Sequence, residues 1–180
     1  MKLWNDLRNY FYQKNIVAKL KELSPARSLT NLHDAKTLGI VYDSTNPDND
    51  AAISKFAEQL RANGKTVEIL AFINDKKIEA KPGIELFNTK NLSWNLTPVD
   101  ERVEKFAAQK FDLLLACFMD SSYPLEYIVR TSRAKWRVGH FSEQKTDYYE
   151  MMINTDSKKE LSYFLQQATH FLNAIKYDSK

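Results

Sequence analysis

The stretch LGIVYDSTNPDNDAAISKFAEQLRANGKTVEILAFI (38–73) predicts the fold of the whole chain. It opens with a short apolar run, continues with a helical pattern that ends at Gly64, and closes with a second apolar run, TVEILAFI (66–73). Apolar runs of this length are typical of strands that a parallel sheet buries on both faces. A strand, a helix and a second strand within about 35 residues indicate a βαβ unit, whose crossover is nearly always right-handed.

The same alternation continues through the rest of the chain. Further strands are predicted at IELFN (84–88), FDLLLACF (111–118), WRVGHF (136–141) and YEMMIN (149–154). FDLLLACF is the most apolar of them, so we expect its residues 111–117 beside 38–43 and 66–73, parallel to both. Helices are expected between the strands, and a last helix over 157–177, where Ser157 and Glu160 have the spacing of a capping box.

The N-terminal segment differs from this body. Residues 2–23 have helical apolar spacing, and the polar stretch SPARSLTNLHDAK (24–36) reads as a linker. We therefore divide the chain into an N-terminal helical arm (1–23), a linker (24–36) and one domain (37–180). The predicted fold class is α/β, a single Rossmann-like domain with a mostly parallel sheet and helices on both faces, preceded by an amphipathic helix.

Composition excludes several classes of protein. The 180 residues are 43% hydrophobic and 12% aromatic, which fits one globular domain and argues against disorder. No apolar run approaches the ~20 residues of a membrane span, and charged residues interrupt the N-terminus where a signal peptide is apolar. A single cysteine, Cys117, excludes an internal disulfide and a cysteine-based zinc site. We expect a cytoplasmic protein.

The four glycines are informative because none belongs to a phosphate-binding loop. The chain has no Walker motif, no dinucleotide fingerprint and no G-x-S-x-G sequence. The loop STNPDND (44–50) precedes a helix, but Asp48 and Asp50 would repel a phosphate there, and one of them is expected to cap that helix. No cofactor is predicted.

Polar residues follow two of the predicted central strands. If those strands are neighbours, the side chains face one crevice at the carboxyl edge of the sheet, where they could serve a metal, a base or a hydroxylated ligand. The candidate ligand-binding residues are Asp43, Ser44, Asp120, Ser121 and His140. The alternative is that the aspartates and serines only cap helices. The three histidines lack metal-ligand spacing, and Cys117 lies in an apolar run, so neither a metal site nor catalytic residues are assigned.

The arm offers a second candidate surface. Residues 1–36 carry seven basic and three acidic side chains, whereas the rest of the chain is close to neutral. The candidate contacts for a protein, an RNA or an anionic membrane are Trp4, Arg8, Tyr12 and Lys14. The alternative is that the arm docks on its own domain through Leu3, Leu7, Phe11 and Leu20. Self-association stays open.

Two resemblances add to this reading. The segment FDLLLACFMDSSYPLEYIVRTSRAKWRVGHF (111–141) resembles the amino-terminal half of heptosyltransferase-like glycosyltransferases, which implies a Rossmann-like domain without the second domain that mainly holds the donor nucleotide. NYFYQKNI (9–16), KTLGIVYD (36–43) and SRAKWRVG (132–139) are similar to segments of an uncharacterised family of short bacterial proteins, typical of the Bacteroidetes. That second resemblance covers nearly the whole chain and implies no known activity.

The expected function follows from the absence of a catalytic motif and of the glycines of a phosphate-binding loop. We expect a non-catalytic cytoplasmic binding or accessory protein. The alternative is a small transferase-like or nucleotide-sugar-binding enzyme whose crevice lies at the carboxyl ends of the strands.

Overall fold

Five α-helices and six strands form the framework of the described part of the protein, which in this computed structural model comprises residues 2–23, 25–155 and 157–176. The strands are β1 (Thr37–Asp43), β2 (Thr66–Ile73), β3 (Glu85–Asn88), β4 (Leu113–Cys117), β5 (Trp136–His140) and β6 (Met151–Ile153). The α-helices are α1 (Lys2–Glu22), α2 (Pro47–Ala62), α3 (Glu101–Ala108), α4 (Tyr123–Thr131) and α5 (Leu161–Ala174). Among these residues no helix has both the length and the apolar character needed to cross a membrane.

The six strands form one open sheet in the order β3-β2-β1-β4-β5-β6, and every neighbouring pair is parallel. Ile40 of β1 pairs with Ile69 of β2 on one side and with Leu115 of β4 on the other. The predicted adjacency of 38–43, 66–73 and 111–117 is therefore confirmed. The strand order is that of a doubly wound Rossmann-like domain, in which the direction of winding reverses between β1 and β4.

Both faces of the sheet are covered, which explains the continuous apolar runs. Leu38, Ile40 and Tyr42 of β1 pack with α2 and α5 on one face. Val41, the residue between the last two, packs on the opposite face with α3, α4 and α1. Because successive side chains of a strand point to opposite faces, a central strand covered by helices on both sides needs apolar residues at every position.

The N-terminal helix docks on the α4 side through a different stripe from the one expected. Tyr12 is 1% exposed and Ile16 is fully buried, whereas Leu3 and Leu7 are 85% and 44% exposed. The Tyr12 hydroxyl donates a hydrogen bond of 2.7 Å to the carbonyl oxygen of Tyr123, so the ring is buried without losing its polar partner. The expectation that Leu3 and Leu7 dock the helix was wrong.

The glycines of the sheet make room for aromatic rings. A Cβ at Gly39 would lie 2.7 Å from the ring of Phe111, and a Cβ at Gly139 would overlap the ring of Tyr149. Gly64 has a different role, since its φ of +77° lets it end α2 in the left-handed conformation, as expected.

Two helix starts differ from the predictions. Asn46 caps α2 by accepting a hydrogen bond of 3.1 Å from the Asp48 amide, because Pro47 occupies the first helical position and has no N–H to satisfy. Asp48 and Asp50 lie in the first turn instead. The last helix begins at Leu161, and Ser157 is not its cap: the Lys158 amide donates to the Thr155 carbonyl, which forms a turn where the capping box was expected. Residue 177 lies outside the described residues.

The ring of Tyr149 predicts the cost of filling Gly139. Gly139→Ala should lower the free energy of unfolding by about 1–3 kcal/mol, because the added methyl group overpacks a closed contact inside β5. Urea denaturation followed by circular dichroism measures this. The matched control is the same substitution in a Tyr149→Leu background, where the smaller side chain should remove most of the cost. An equal loss in both backgrounds would contradict the assignment.

Candidate functional site

A crevice opens at the carboxyl ends of β1 and β4, where the winding of the sheet reverses. Its volume is about 400 Å³. The polar side chains that line it are Asp43, Thr45, Asn46, Asn49, Asp120, Ser121 and Lys159. Cys117, Phe118, Met119 and Leu161 supply its apolar surface. In open α/β sheets this position is where ligands bind, and the volume lies within the usual range of about 300–1,000 Å³ for small-molecule sites.

The β1–α2 loop forms one wall of the crevice, and local hydrogen bonds fix its shape. Asp43 is the last residue of β1, and its Oδ1 accepts a hydrogen bond of 2.8 Å from the Thr45 amide. The Asn49 side chain donates a bond of 2.9 Å to the carbonyl oxygen of Asp43. The Thr45 hydroxyl accepts from the Asn74 amide at 2.9 Å, which ties this wall to the end of β2. The wall is preorganised by the loop sequence itself.

The β4–α4 loop forms the opposite wall. Asp120 and Ser121 are exposed there, and the Ser121 hydroxyl accepts a hydrogen bond of 3.0 Å from the Lys145 ammonium. Lys145 is also paired with Glu126 at 2.8 Å, in a setting where both side chains are largely buried. The ammonium group of Lys145 therefore holds the Ser121 hydroxyl in place on this wall.

The structure brings together only part of the expected site. Asp43, Asp120 and Ser121 line the same crevice, at the end of β1 and in the loop that follows the adjacent strand β4. Ser44 does not line it, because its side chain is 2% exposed and its hydroxyl donates to Asp50. His140 ends β5, is buried, and does not line the crevice either, since β5 lies one strand beyond the reversal.

The capping alternative does not describe these residues. Asp43 closes a turn onto the Thr45 amide, and Asn46 rather than Asp43 or Ser44 caps α2. Ser122 precedes α4 without a side-chain capping bond; its amide donates to Glu126 instead. Sequence reasoning missed Asn46, Asn49 and Lys159 as lining residues. The asparagines lie in the quoted loop, but Lys159 reaches the crevice because α5 starts later than its sequence pattern indicates.

Ser44 belongs to a polar cluster behind the β1–α2 wall. Its hydroxyl and that of Tyr42 donate to Asp50 Oδ1 at 2.6 and 2.7 Å. The Lys81 ammonium donates to Ser44 at 2.6 Å and is paired with the Asp50 carboxylate. Burial by itself raises the pKa of Asp50, but the bonds from Lys81, Ser44 and Tyr42 together hold it below its ordinary value. Burial raises the pKa of Tyr42, and its bond to Asp50 adds to that.

Cys117 lines the crevice without the setting of a nucleophile. The residue is 1% exposed, and burial raises the pKa of its thiol. Within the described residues no three or more histidine, cysteine, aspartate or glutamate side chains gather as metal ligands.

The arm residues are placed on different sides of α1. Trp4 is exposed, with its ring 6.0 Å from that of Trp94, and Lys14 is exposed as well. Arg8 donates to the Asn5 side chain at 3.3 Å on the surface. Tyr12 points inward and anchors the helix, so it is not an accessible contact for a partner in this structure.

One family of known proteins matches nearly the whole chain. A model of a family of unknown function, DUF6913, matches residues 8–175. The chain belongs to this family. No curated protein matches it. The matched range contains every residue that lines the crevice and most of α1, so the DUF6913 family model spans both candidate surfaces, although Trp4 lies before it.

The Asp50 cluster predicts a loss of stability that depends on pH. Asp50→Asn should lower the free energy of unfolding by about 1.5–3 kcal/mol at neutral pH, because the charge-assisted bonds from Lys81 and the two hydroxyls are weakened. Since the folded pKa of Asp50 is depressed, this stabilisation is present above about pH 4 and is lost as the pH falls toward the folded pKa.

Urea denaturation at pH 7 and at pH 3 measures both effects. Asp48→Asn is the matched control, because Asp48 lies in the same helical turn but is exposed and outside the cluster. We expect the gap between the two variants to narrow at pH 3. A gap that is absent at pH 7, or unchanged at pH 3, would contradict the prediction.

Proposed function

We propose that this protein is a non-catalytic binding protein whose crevice between β1 and β4 holds a small hydroxylated molecule. The observation that carries the proposal is the convergence of Asp43 and Asp120 on one cavity at the reversal point of a doubly wound sheet. Carboxylates accept hydrogen bonds from hydroxyl groups, and two of them within one small cavity disfavour a phosphate.

The other lining groups support the same ligand class. Asn46 and Asn49 bring amide groups, and Ser121 and Thr45 bring hydroxyls, so the lining offers both donors and acceptors. Phe118, Met119 and Leu161 offer an apolar surface against which the carbon face of a sugar or nucleoside can lie. Lys159 is the cation among the lining residues.

The second candidate is a small transferase-like or nucleotide-sugar-binding enzyme. It is favoured by the resemblance of residues 111–141 to the amino-terminal half of heptosyltransferase-like glycosyltransferases, since Asp120 and Ser121 lie inside that segment and line the crevice. On that proposal Asp120 is the base that faces an acceptor hydroxyl, and a partner subunit supplies the donor site.

The crevice proposal predicts a ligand response that depends on Asp120. Thermal unfolding of the full chain should shift upward with a monosaccharide, polyol or nucleoside from a screened panel, by the equivalent of about 2.7 kcal/mol at 100 times the dissociation constant. Asp120→Asn should weaken that binding by about tenfold, the effect of one charged hydrogen bond. Asp48→Asn, exposed and outside the crevice, is the control that should bind as the parent does.

The panel separates the two candidates. A saturable response that is restricted to nucleotide sugars would favour the enzyme. Titration calorimetry with the responding compound then gives its dissociation constant for each variant. A compound that binds Asp120→Asn and the parent equally well would place the ligand elsewhere on the protein.

The proposal extends to an accessory role for the arm in a bacterial cytoplasm, where α1 contacts a protein or an anionic partner. Its support is a second apolar stripe that the domain leaves uncovered. Leu3, Leu7, Tyr10 and Val17 are all exposed, and Lys14 and Lys21 continue the same 3–4 spacing. Exposed apolar stripes of this kind mark interaction surfaces, and the lysines favour an anionic occupant.

The buried stripe and the exposed stripe of α1 predict different effects of substitution on stability. Ile16→Ala should lower the free energy of unfolding by about 2–5 kcal/mol, because it empties a fully buried position. Leu7→Asp should change it by about 0.5 kcal/mol or less, because the side chain lies at the surface. Co-sedimentation with vesicles of anionic lipid tests the anionic partner: binding of the parent should fall at high salt and fall with Leu7→Asp. Retention of Leu7→Asp on the vesicles would exclude the outer stripe as the contact.

A further inference from the structure

A second cavity, away from the crevice, lies where the end of α1 meets the domain. It measures about 120 Å³. Leu20, Leu23 and Pro25 form its apolar side. Its polar side is made by three arginines, Arg27, Arg130 and Arg137, together with Asp147. Three arginines from the linker, from α4 and from β5 therefore converge on a volume of about four water molecules.

The carboxylates at this cavity are fewer than the guanidinium groups. Glu150 serves two of them: Arg137 donates to both of its oxygens, at 2.7 and 3.0 Å, and Arg27 lies 3.6 Å away. Arg27 also donates to the carbonyl oxygens of Ser132 and Ala134. Asp147 is exposed, and it is its backbone carbonyl that faces Arg137. One half-buried carboxylate is thus shared by two arginines.

Arg130 is the third guanidinium, and its contacts are neutral. The residue is 8% exposed. It donates to the side-chain oxygen of Gln13 at 3.1 Å and lies 4.7 Å above the ring of Tyr148. The carboxylate one turn earlier on α4, Glu126, is paired with Lys145. No described carboxylate forms an ion pair with Arg130, so in this cluster the three guanidinium groups outnumber the carboxylates that pair with them.

We propose that this cavity is a binding site for a phosphate group, held by Arg130 and approached by Arg27 and Arg137. A phosphate has the size of the cavity and offers the acceptor oxygens that a guanidinium fork matches in pairs. The excess charge of the site is of the sign that such a ligand neutralises. The crevice described above instead carries a carboxylate on each wall, Asp43 and Asp120, which disfavours a phosphate. The two sites therefore take different ligands.

The electrostatics of Arg27 agree with that geometry. Burial, and after it repulsion from Arg137, lower the pKa of its guanidinium to about 10, because Glu150 opposes both only in part. A bound anion would relieve this repulsion.

Binding here would fasten the arm to the domain. The cavity is built from Leu20 and Leu23 at the end of the first helix, Arg27 in the linker, and arginines of α4 and β5. A phosphate that contacts Arg27 and Arg130 therefore bridges the linker and the domain, close to the point where Gln13 of α1 meets Arg130. Occupancy and docking of the arm are linked, because a ligand that binds only the docked state stabilises that state.

The test is a titration of the full chain with inorganic phosphate at constant ionic strength, followed by thermal unfolding. The parent should show a saturable rise in Tm, and Arg130→Gln should bind phosphate about tenfold more weakly or not at all. Arg133→Gln is the matched control, because Arg133 is exposed and outside the cavity; it should respond as the parent does. A parent that responds no more than to sodium chloride, or an Arg130→Gln variant that responds like the parent, would overturn the proposal.

A second variant keeps the test decisive if Arg130→Gln does not fold. Gln13→Glu places a carboxylate beside Arg130, so it should raise the Tm without phosphate and abolish the phosphate response. Limited proteolysis gives an independent measure: phosphate should slow cleavage of the linker in the parent and not in Gln13→Glu. A Gln13→Glu variant that still responds to phosphate would overturn the proposal. Glycerol phosphate run in parallel separates the sources, since tighter binding than inorganic phosphate assigns the site to an organic phosphate.

Discussion

The burial of β1 on both faces and at both edges is the constraint on which the remaining structure depends. β2 and β4 take up its backbone hydrogen bonds, and helices cover its two faces. A strand enclosed in this way can expose polar groups only at its ends. Asp43, at the carboxyl end, is therefore the first place where β1 meets solvent, and the crevice starts there.

The sequence was sufficient for the sheet and only partly sufficient for the crevice. The apolar runs predicted β1, β2 and β4 as parallel neighbours because burial on two faces leaves no other composition for them. Asp43, Asp120 and Ser121 followed from that adjacency. Ser44 and His140 did not, because the direction of a side chain beyond a strand end depends on the local turn and on which strands flank the reversal. Lys159 could not be predicted as a lining residue, because a turn at Thr155 makes α5 begin later than the sequence pattern indicates.

The arginine cavity could not be predicted from the sequence, for a different reason. Arg27 and Arg137 are separated by more than half of the chain, and no sequence pattern indicates that their side chains lie close together. Only the return of the linker across the start of β5 brings them together. The two cavities thus differ in origin as well as in charge: the crevice follows from strand order, whereas the arginine cavity follows from the path of the segment that joins α1 to the sheet.

The arm also bears on the order in which the protein can acquire its structure during synthesis. Tyr12 is anchored on the carbonyl of Tyr123, a contact between residues 111 positions apart. The edge of β1 that faces β4 likewise stays open until residue 117 has been made. A ribosome that has released the first hundred residues therefore presents a helix without its docking surface and a central strand with one unpaired edge. Contacts of such long range slow folding, so the growing chain passes through a stage in which α1 and β1 have been made but still lack the residues that will cover them.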